Sequence, residues 1–222
     1  MDTSYATDYE RYILAVTAQG YDATDVSGYD LTAPLQDAQA VIKQNINAPI
    51  FALLALDSGN YPSQVRQDYI DAILKAQKPD GGFTYNPDAP SDPDMTAMAV
   101  QALAPYMDGQ EAVGAAVEKA LSCLSKMQQP NGGFTAWGES SCESTAQVIL
   151  ALNAAGIPLT DENFVKDGHT LLENLTSFQA ANGGFCHKQG DAASAYSTEQ
   201  AVRALVDIYN TGHMGVTYYG VR

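Results

Sequence analysis

The 222-residue sequence has little basic charge: 11 Lys and Arg stand against 26 Asp and Glu, a formal net charge of −15. Nucleic acids and anionic membranes are bound by basic surfaces, so both classes of partner are excluded. Three cysteines, Cys123, Cys142 and Cys186, are too few for a disulfide framework, and their odd number leaves at least one thiol unpaired within the chain. No apolar run approaches the ~20 residues that a membrane-spanning helix needs. The opening residues lack the basic and apolar regions of a signal peptide. There is no glycine-rich phosphate loop and no Ser-His-Asp set. Disorder is excluded as well, because 45% of the residues are hydrophobic and only 17% are charged.

What is present is a repeat. Gln77-Lys78-Pro79-Asp80-Gly81-Gly82-Phe83 recurs as Gln128-Gln129-Pro130-Asn131-Gly132-Gly133-Phe134, and again as Gln179-Ala180-Ala181-Asn182-Gly183-Gly184-Phe185, at intervals of 51 residues. Each copy follows an amphipathic stretch with i, i+3, i+4 apolar spacing, which predicts a helix. The Asp/Asn-Gly-Gly ends that helix, since glycine accepts the left-handed conformation. A second stretch follows each copy, beginning near Met95, Ser144 and Ser197, and is apolar around most of its circumference. Each repeat is therefore a helical hairpin with a buried inner and a more polar outer helix. Two further inner helices are expected near Tyr9–Val16 and Ala48–Leu56, with an outer helix within residues 33–44. The count is five inner and four outer helices, in a single domain over residues 1–222.

The Gln-x3-Gly-Gly-Phe unit after an amphipathic helix resembles the repeat of the prenyltransferase and squalene-cyclase superfamily, over roughly residues 5–212. The resemblance implies an all-α fold, an α/α toroid in which inner helices ring a cavity. The repeat Gln would bond helix-end backbone and the Phe would pack beneath the next repeat. Nine of a full toroid's twelve helices are accounted for, so a longer chain or self-association through open repeat ends is expected.

The inner helices begin at the mouth of the implied cavity, where their dipoles favour carboxylates. Ser91-Asp92-Pro93-Asp94-Met95-Thr96-Ala97 resembles the Asp-x-Asp-Asp-Thr-Ala signature of class II terpene cyclases. By position Asp94 matches the acid that protonates an alkene or epoxide, Asp92 matches the first acid, and Met95 replaces the last. Glu143 would adjust the proton affinity of Asp94. Such an acid keeps its proton in an apolar site beside other carboxylates. The alternative is plain capping, with Asp94 closing its own helix start. A zinc site of the protein-prenyltransferase kind would draw on Cys142, Cys186 and His187, with Glu143 and Asp94. The ligand spacing matches no such pattern, and no resident cofactor is expected. A Cys142–Cys186 disulfide and a pair of buried thiols are the other readings. His169 is placed on an outer helix. Asn174-Leu175-Thr176 fits a glycosylation sequon, but its mid-helix position argues against use.

Tyr9, Tyr12, Phe51, Met95, Met98 and Tyr196 lie on or near the starts of inner helices and would line a cavity for an apolar or amphiphilic small molecule. Thirteen tyrosines and the net acidity also suit an extracellular surface module that binds another protein or a glycan. On these grounds the sequence favours a noncatalytic ligand- or partner-binding module of a bacterial surface or secreted protein. The alternative is a terpene-cyclase-like or prenyl-transfer enzyme with Asp94 as general acid.

Overall fold

Each Gly-Gly-Phe segment forms the same turn. The Asp80, Asn131 and Asn182 side chains accept from the backbone N–H of Gly82, Gly133 and Gly184 at 3.0–3.1 Å. The preceding glycines, Gly81, Gly132 and Gly183, all have φ between 80° and 89°. In this computed structural model, which describes residues 5–136 and 138–220, nine α-helices alternate between buried and half-exposed elements. The described chain forms two compact units.

The first unit holds residues 5–77, 84–90 and 219–220. It contains α1 (Ala6–Ala18), α2 (Ala38–Ile42), α3 (Asn47–Ser58) and α4 (Arg66–Ala76). Helix α3 is buried on nearly every side, and α1, α2 and α4 pack against it. Arg66 satisfies the carbonyls at its end, donating to Leu56 O at 3.0 Å and Tyr61 O at 2.8 Å while pairing with Asp57. The outer element expected within 33–44 is a 3-10 turn, Ala33–Gln36, followed by the short α2. On α1 the buried positions are Ala6, Glu10 and Ile13, so Tyr12 points to solvent.

The second unit holds residues 78–83, 91–136 and 138–218. Its helices are α5 (Pro93–Leu103), α6 (Glu111–Met127), α7 (Cys142–Ala154), α8 (Leu171–Thr176) and α9 (Ala195–Met214). Helix α7 packs between α5 and α9, with α6 against α5 and α8 against α7. A small antiparallel ribbon, β1 (Phe134–Ala136) and β2 (Glu139–Ser141), leads into α7. No described helix is long and apolar enough to cross a membrane.

One side-chain clasp joins turn to helix in every repeat. The hydroxyls of Thr96, Thr145 and Thr198 donate to the carbonyls of Asp92, Ser141 and Ser194. The same hydroxyls accept from the backbone N–H of Phe83, Phe134 and Phe185. The repeat Gln acts as its position suggests: Gln128 donates to Gly132 O at 2.8 Å and Phe164 O at 2.9 Å. Between the buried helices runs a ladder of buried amides: Gln101 donates to Gln147, and Gln147 to Gln200. Asn174 is buried with its amide bonded at both ends, to Thr145 and Asn131, which removes it as a glycan acceptor. His169 lies before α8 rather than on it, closing a turn with Lys166.

Equivalent glycines of the repeat differ in their surroundings. A Cβ on Gly132 would lie 2.6 Å from the Thr170 carbonyl oxygen, whereas one on Gly183 would meet nothing within 4 Å. Both carry the positive-φ penalty. Gly183→Ala is therefore expected to cost about 1 kcal/mol, and Gly132→Ala about 3 kcal/mol once backbone displacement is added. Urea unfolding of the two variants checks this; equal losses would show that the turn yields freely at both places.

Candidate active site

The candidate site is built at the starts of α5, α7 and α9, all within the second unit. Asp92, Ser141 and Ser194 are the N-caps of these helices, accepting from the backbone N–H of Met95, Ser144 and Ser197 at 2.8, 3.1 and 2.9 Å. The same register places Asp94, Glu143 and Tyr196 at the second helical position. Here the capping expectation is corrected: Asp92 caps α5, not Asp94. Pro93 occupies the first helical position and makes the preceding residue the cap.

Asp94 is thereby released from backbone duty. Its Oδ1 is buried without a hydrogen-bond partner. Burial raises its pKa above the ordinary carboxyl value, and the charges of Asp92 and Glu143 add to the rise. The Ser144 hydroxyl, within hydrogen-bonding reach, pulls the other way.

Glu143 is buried and fully engaged. Its Oε1 accepts from Ser197 Oγ at 2.5 Å. Its Oε2 faces Ser141 Oγ at 3.3 Å and His187 Nδ1 at 2.8 Å. Tyr196 is exposed; partial burial raises the pKa of its hydroxyl, and the nearby charges of Glu143 and Asp94 raise it further. Lys188 pairs with Glu139 beside His187.

The zinc candidates do not fit a metal. All three cysteines are buried free thiols. Burial pushes the Cys142 thiol up to about 12, and Cys186 Sγ donates to Phe178 O at 2.9 Å. A zinc-binding thiol needs the opposite environment, one that favours thiolate. Among the described residues no group of three or more His, Cys, Asp or Glu side chains could hold an ion. The disulfide reading is corrected likewise.

The six proposed cavity residues divide between the units. Tyr9, Tyr12 and Phe51 belong to the first, and Met95, Met98 and Tyr196 to the second. Met95 is buried, Tyr9, Phe51 and Met98 are half-buried, and Tyr12 and Tyr196 are exposed. The sequence reading missed the His187–Glu143–Ser197 constellation. The available signal was the register: Ser141 and Ser194 stand where Asp92 stands, so their neighbours share the helix starts.

Helical hairpins with a repeated Gly-Gly-Phe turn and a polar cluster at the buried helix starts define an α/α toroid protein. Residues 36–213 match the Prenyltransferase alpha-alpha toroid domain, and the chain belongs to that family. It is similar to a drimenyl diphosphate synthase of Streptantibioticus cattleyicolor, 34% identical over 139 residues, 60% of this chain and 25% of the relative. A drimenyl diphosphate synthase of Streptomyces showdoensis is 29% identical over 136 residues, with the same two shares. The Pisum sativum protein farnesyltransferase β subunit is 22% identical over 170 residues, 77% of this chain and 40% of that one. Candida albicans protein geranylgeranyltransferase-I, solved with GGPP, shares the fold with a TM-score of 0.55 at 16% identity, over 80% of this chain and 53% of that chain. The chain spans about a quarter of the length of the drimenyl diphosphate synthases that it matches.

These relatives overturn the noncatalytic surface-module reading. They are synthases and transferases, and they back the enzyme alternative. Met95 replaces the last acid of the signature, but this does not remove the buried carboxyl of Asp94 itself.

Proposed function

We propose that the chain is the acid-bearing α/α domain of a terpene-cyclase-like enzyme acting on a linear polyprenyl diphosphate. Asp94 is the general acid. The observation that carries this is its buried carboxyl, excluded from capping by Asp92 and left with a free Oδ1. Drimenyl diphosphate synthase relatives support the substrate class.

In this mechanism the Asp94 O–H bond breaks and its proton adds to one carbon of a substrate C=C. The cation left on the other carbon is captured by a neighbouring C=C, closing a ring. Loss of a C–H proton from the final cation restores an alkene. The product is an isomer of the substrate and keeps its diphosphate. Burial serves this chemistry by favouring the protonated form of Asp94, the form that has a proton to give.

The test is incubation with farnesyl diphosphate or geranylgeranyl diphosphate in D2O, followed by mass spectrometry. Cyclisation gives a diphosphate-bearing isomer carrying carbon-bound deuterium from solvent. Prenyl transfer, which the farnesyltransferase likeness favours, would pass the prenyl group to a thiol acceptor, release free diphosphate and fix no deuterium on carbon. That second pattern would replace the cyclase reading.

A further inference from the structure

The buried helices share a register, and two of their faces stand in solvent. Counted from the N-cap, positions five and eight are Glu10 and Ile13 on α1, Ala97 and Val100 on α5, and Ala146 and Ile149 on α7, all buried. On α9 the same positions are Glu199, which is exposed, and Val202, which is 45% exposed. Positions seven and ten behave in the opposite way. Ala99 and Ala102 of α5, Val148 and Ala151 of α7, and Ala201 and Ala204 of α9 are buried, whereas Tyr12 and Ala15 of α1 are exposed.

Each face belongs to a particular neighbour. Helix α9 turns the face of Ser197, Gln200, Ala201, Ala204 and Asp207 towards α7, where Glu143, Gln147 and Asn153 bond to Ser197, Gln200 and Asp207. This is its backward face. Helix α1 packs on α3, the next long helix of its own unit, and buries the forward face of Glu10 and Ile13. Helix α7 has a neighbour on each side and buries both faces. Thus α9 exposes what α1 buries, and α1 exposes what α9 buries.

We propose that these two faces join copies of the chain head to tail. The forward face of α9 in one copy receives the backward face of α1 in the next, and the row of buried helices continues from molecule to molecule. This inference is independent of the cyclase reading.

The chemistry of the faces agrees. Val202, Val206 and Tyr209 form an apolar stripe at helical spacing on α9, 40–60% exposed, with the Tyr209 ring stacked on His213. The α1 face carries Tyr12 beside the small residues Ala15 and Ala18, and α9 likewise turns the small Ala201 and Ala204 towards α7. Opposite charges fall in register. The position-six side chains of α7 and α9, Gln147 and Gln200, meet each other. At that position α1 carries Arg11, and on α9 Gln200 donates to the exposed Glu199 carboxylate at 2.7 Å. Arg11 of the next copy therefore arrives at an acidic place. A second copy is the occupant because the required counterpart of each face is the other face of the same chain. The contact also bears on the candidate site. Glu143, at the second position of α7, is covered by the start of α9, whereas Tyr196, at the second position of α9, is exposed. The start of α1 from the next copy supplies the missing cover.

Such a contact is heterologous, because each copy uses two different faces. Sedimentation velocity of the full chain over a range of concentrations tests it. The mass of the parent is expected to rise with concentration beyond that of one copy. Val206→Asp and Ala15→Asp each place a carboxylate in the contact, at exposed positions where the fold of a single copy is not disturbed. Each alone is expected to associate roughly ten-fold or more weakly, the result of burying an unpaired charge. Mixed together, the two variants are expected to form a complex of two copies and nothing larger. One retains an intact α1 face and the other an intact α9 face. A parent that stays monomeric at every concentration overturns the proposal. So does a mixture that stays monomeric. Ala15→Asp associating as well as the parent overturns it too, since that outcome means α9 pairs with α9.

Discussion

Asp94→Asn is expected to reduce deuterium-fixing turnover of the polyprenyl diphosphate probe about 10³-fold, the middle of the range for loss of a general acid. The amide has nearly the same shape but no proton of comparable acidity to give. Its effect on stability has the opposite sign. The folded-state pKa of Asp94 lies above its ordinary value, through burial first and then Asp92 and Glu143. Folding therefore favours the protonated form, and above the unfolded pKa the acid weakens the fold. A neutral amide removes that penalty, so the variant should be at least as resistant to urea at neutral pH as the parent. Loss of turnover together with equal or greater stability marks a group kept for chemistry rather than for the fold. The rate should also fall with rising pH as the acid form is lost, and the profile should flatten in the variant's residual activity. Full turnover in Asp94→Asn would remove Asp94 from the mechanism.

The same residue shows how far the sequence could be read. The helical hairpins were legible because apolar periodicity and three Gly-Gly-Phe turns agree, and one-dimensional spacing is all that such a repeat requires. The caps were legible in kind but not in residue. Asp92 and Asp94 are both acceptable caps, and only Pro93 at the first helical position decides between them. Contacts made across repeats were not legible. His187 meets Glu143 from 44 residues away, and Gln147 meets Gln200 from 53. No local pattern reports such pairs, since they depend on which sides of α7 and α9 face each other. Function was not legible for a related reason: the environment of Asp94, the acid that remains in a motif imperfect at Met95, is set by tertiary burial.

The other large effect lies in the first unit, at a residue that the helical pattern of α1 conceals. Glu10 falls on the α1 face that also buries Ala6 and Ile13, and it is 1% exposed. Neither of its carboxyl oxygens has a hydrogen-bond partner. Burial raises its pKa from 4.5 to about 9, and its charge in turn contributes to the raised pKa of the buried Tyr69. The folded chain thus holds a proton that the unfolded chain releases above pH 4.5. Stability is highest below that value and falls as the pH rises towards 9, by about 1.4 kcal/mol per pH unit at most. The loss at pH 7 relative to pH 4.5 is about 3 kcal/mol, a large fraction of a domain's total stability. Glu10→Met keeps the approximate volume and removes both the titration and the unpartnered oxygens. Urea unfolding should therefore show the variant's advantage growing from pH 5 to pH 7 to pH 9. Parallel pH dependences in parent and variant would mean that Glu10 finds a partner in solution and is not the buried proton store that its packing indicates. The gain would also separate the two buried acids by role: Asp94 weakens the fold where the proposed chemistry needs a proton, whereas Glu10 weakens it in a unit that contributes no residue to the candidate site.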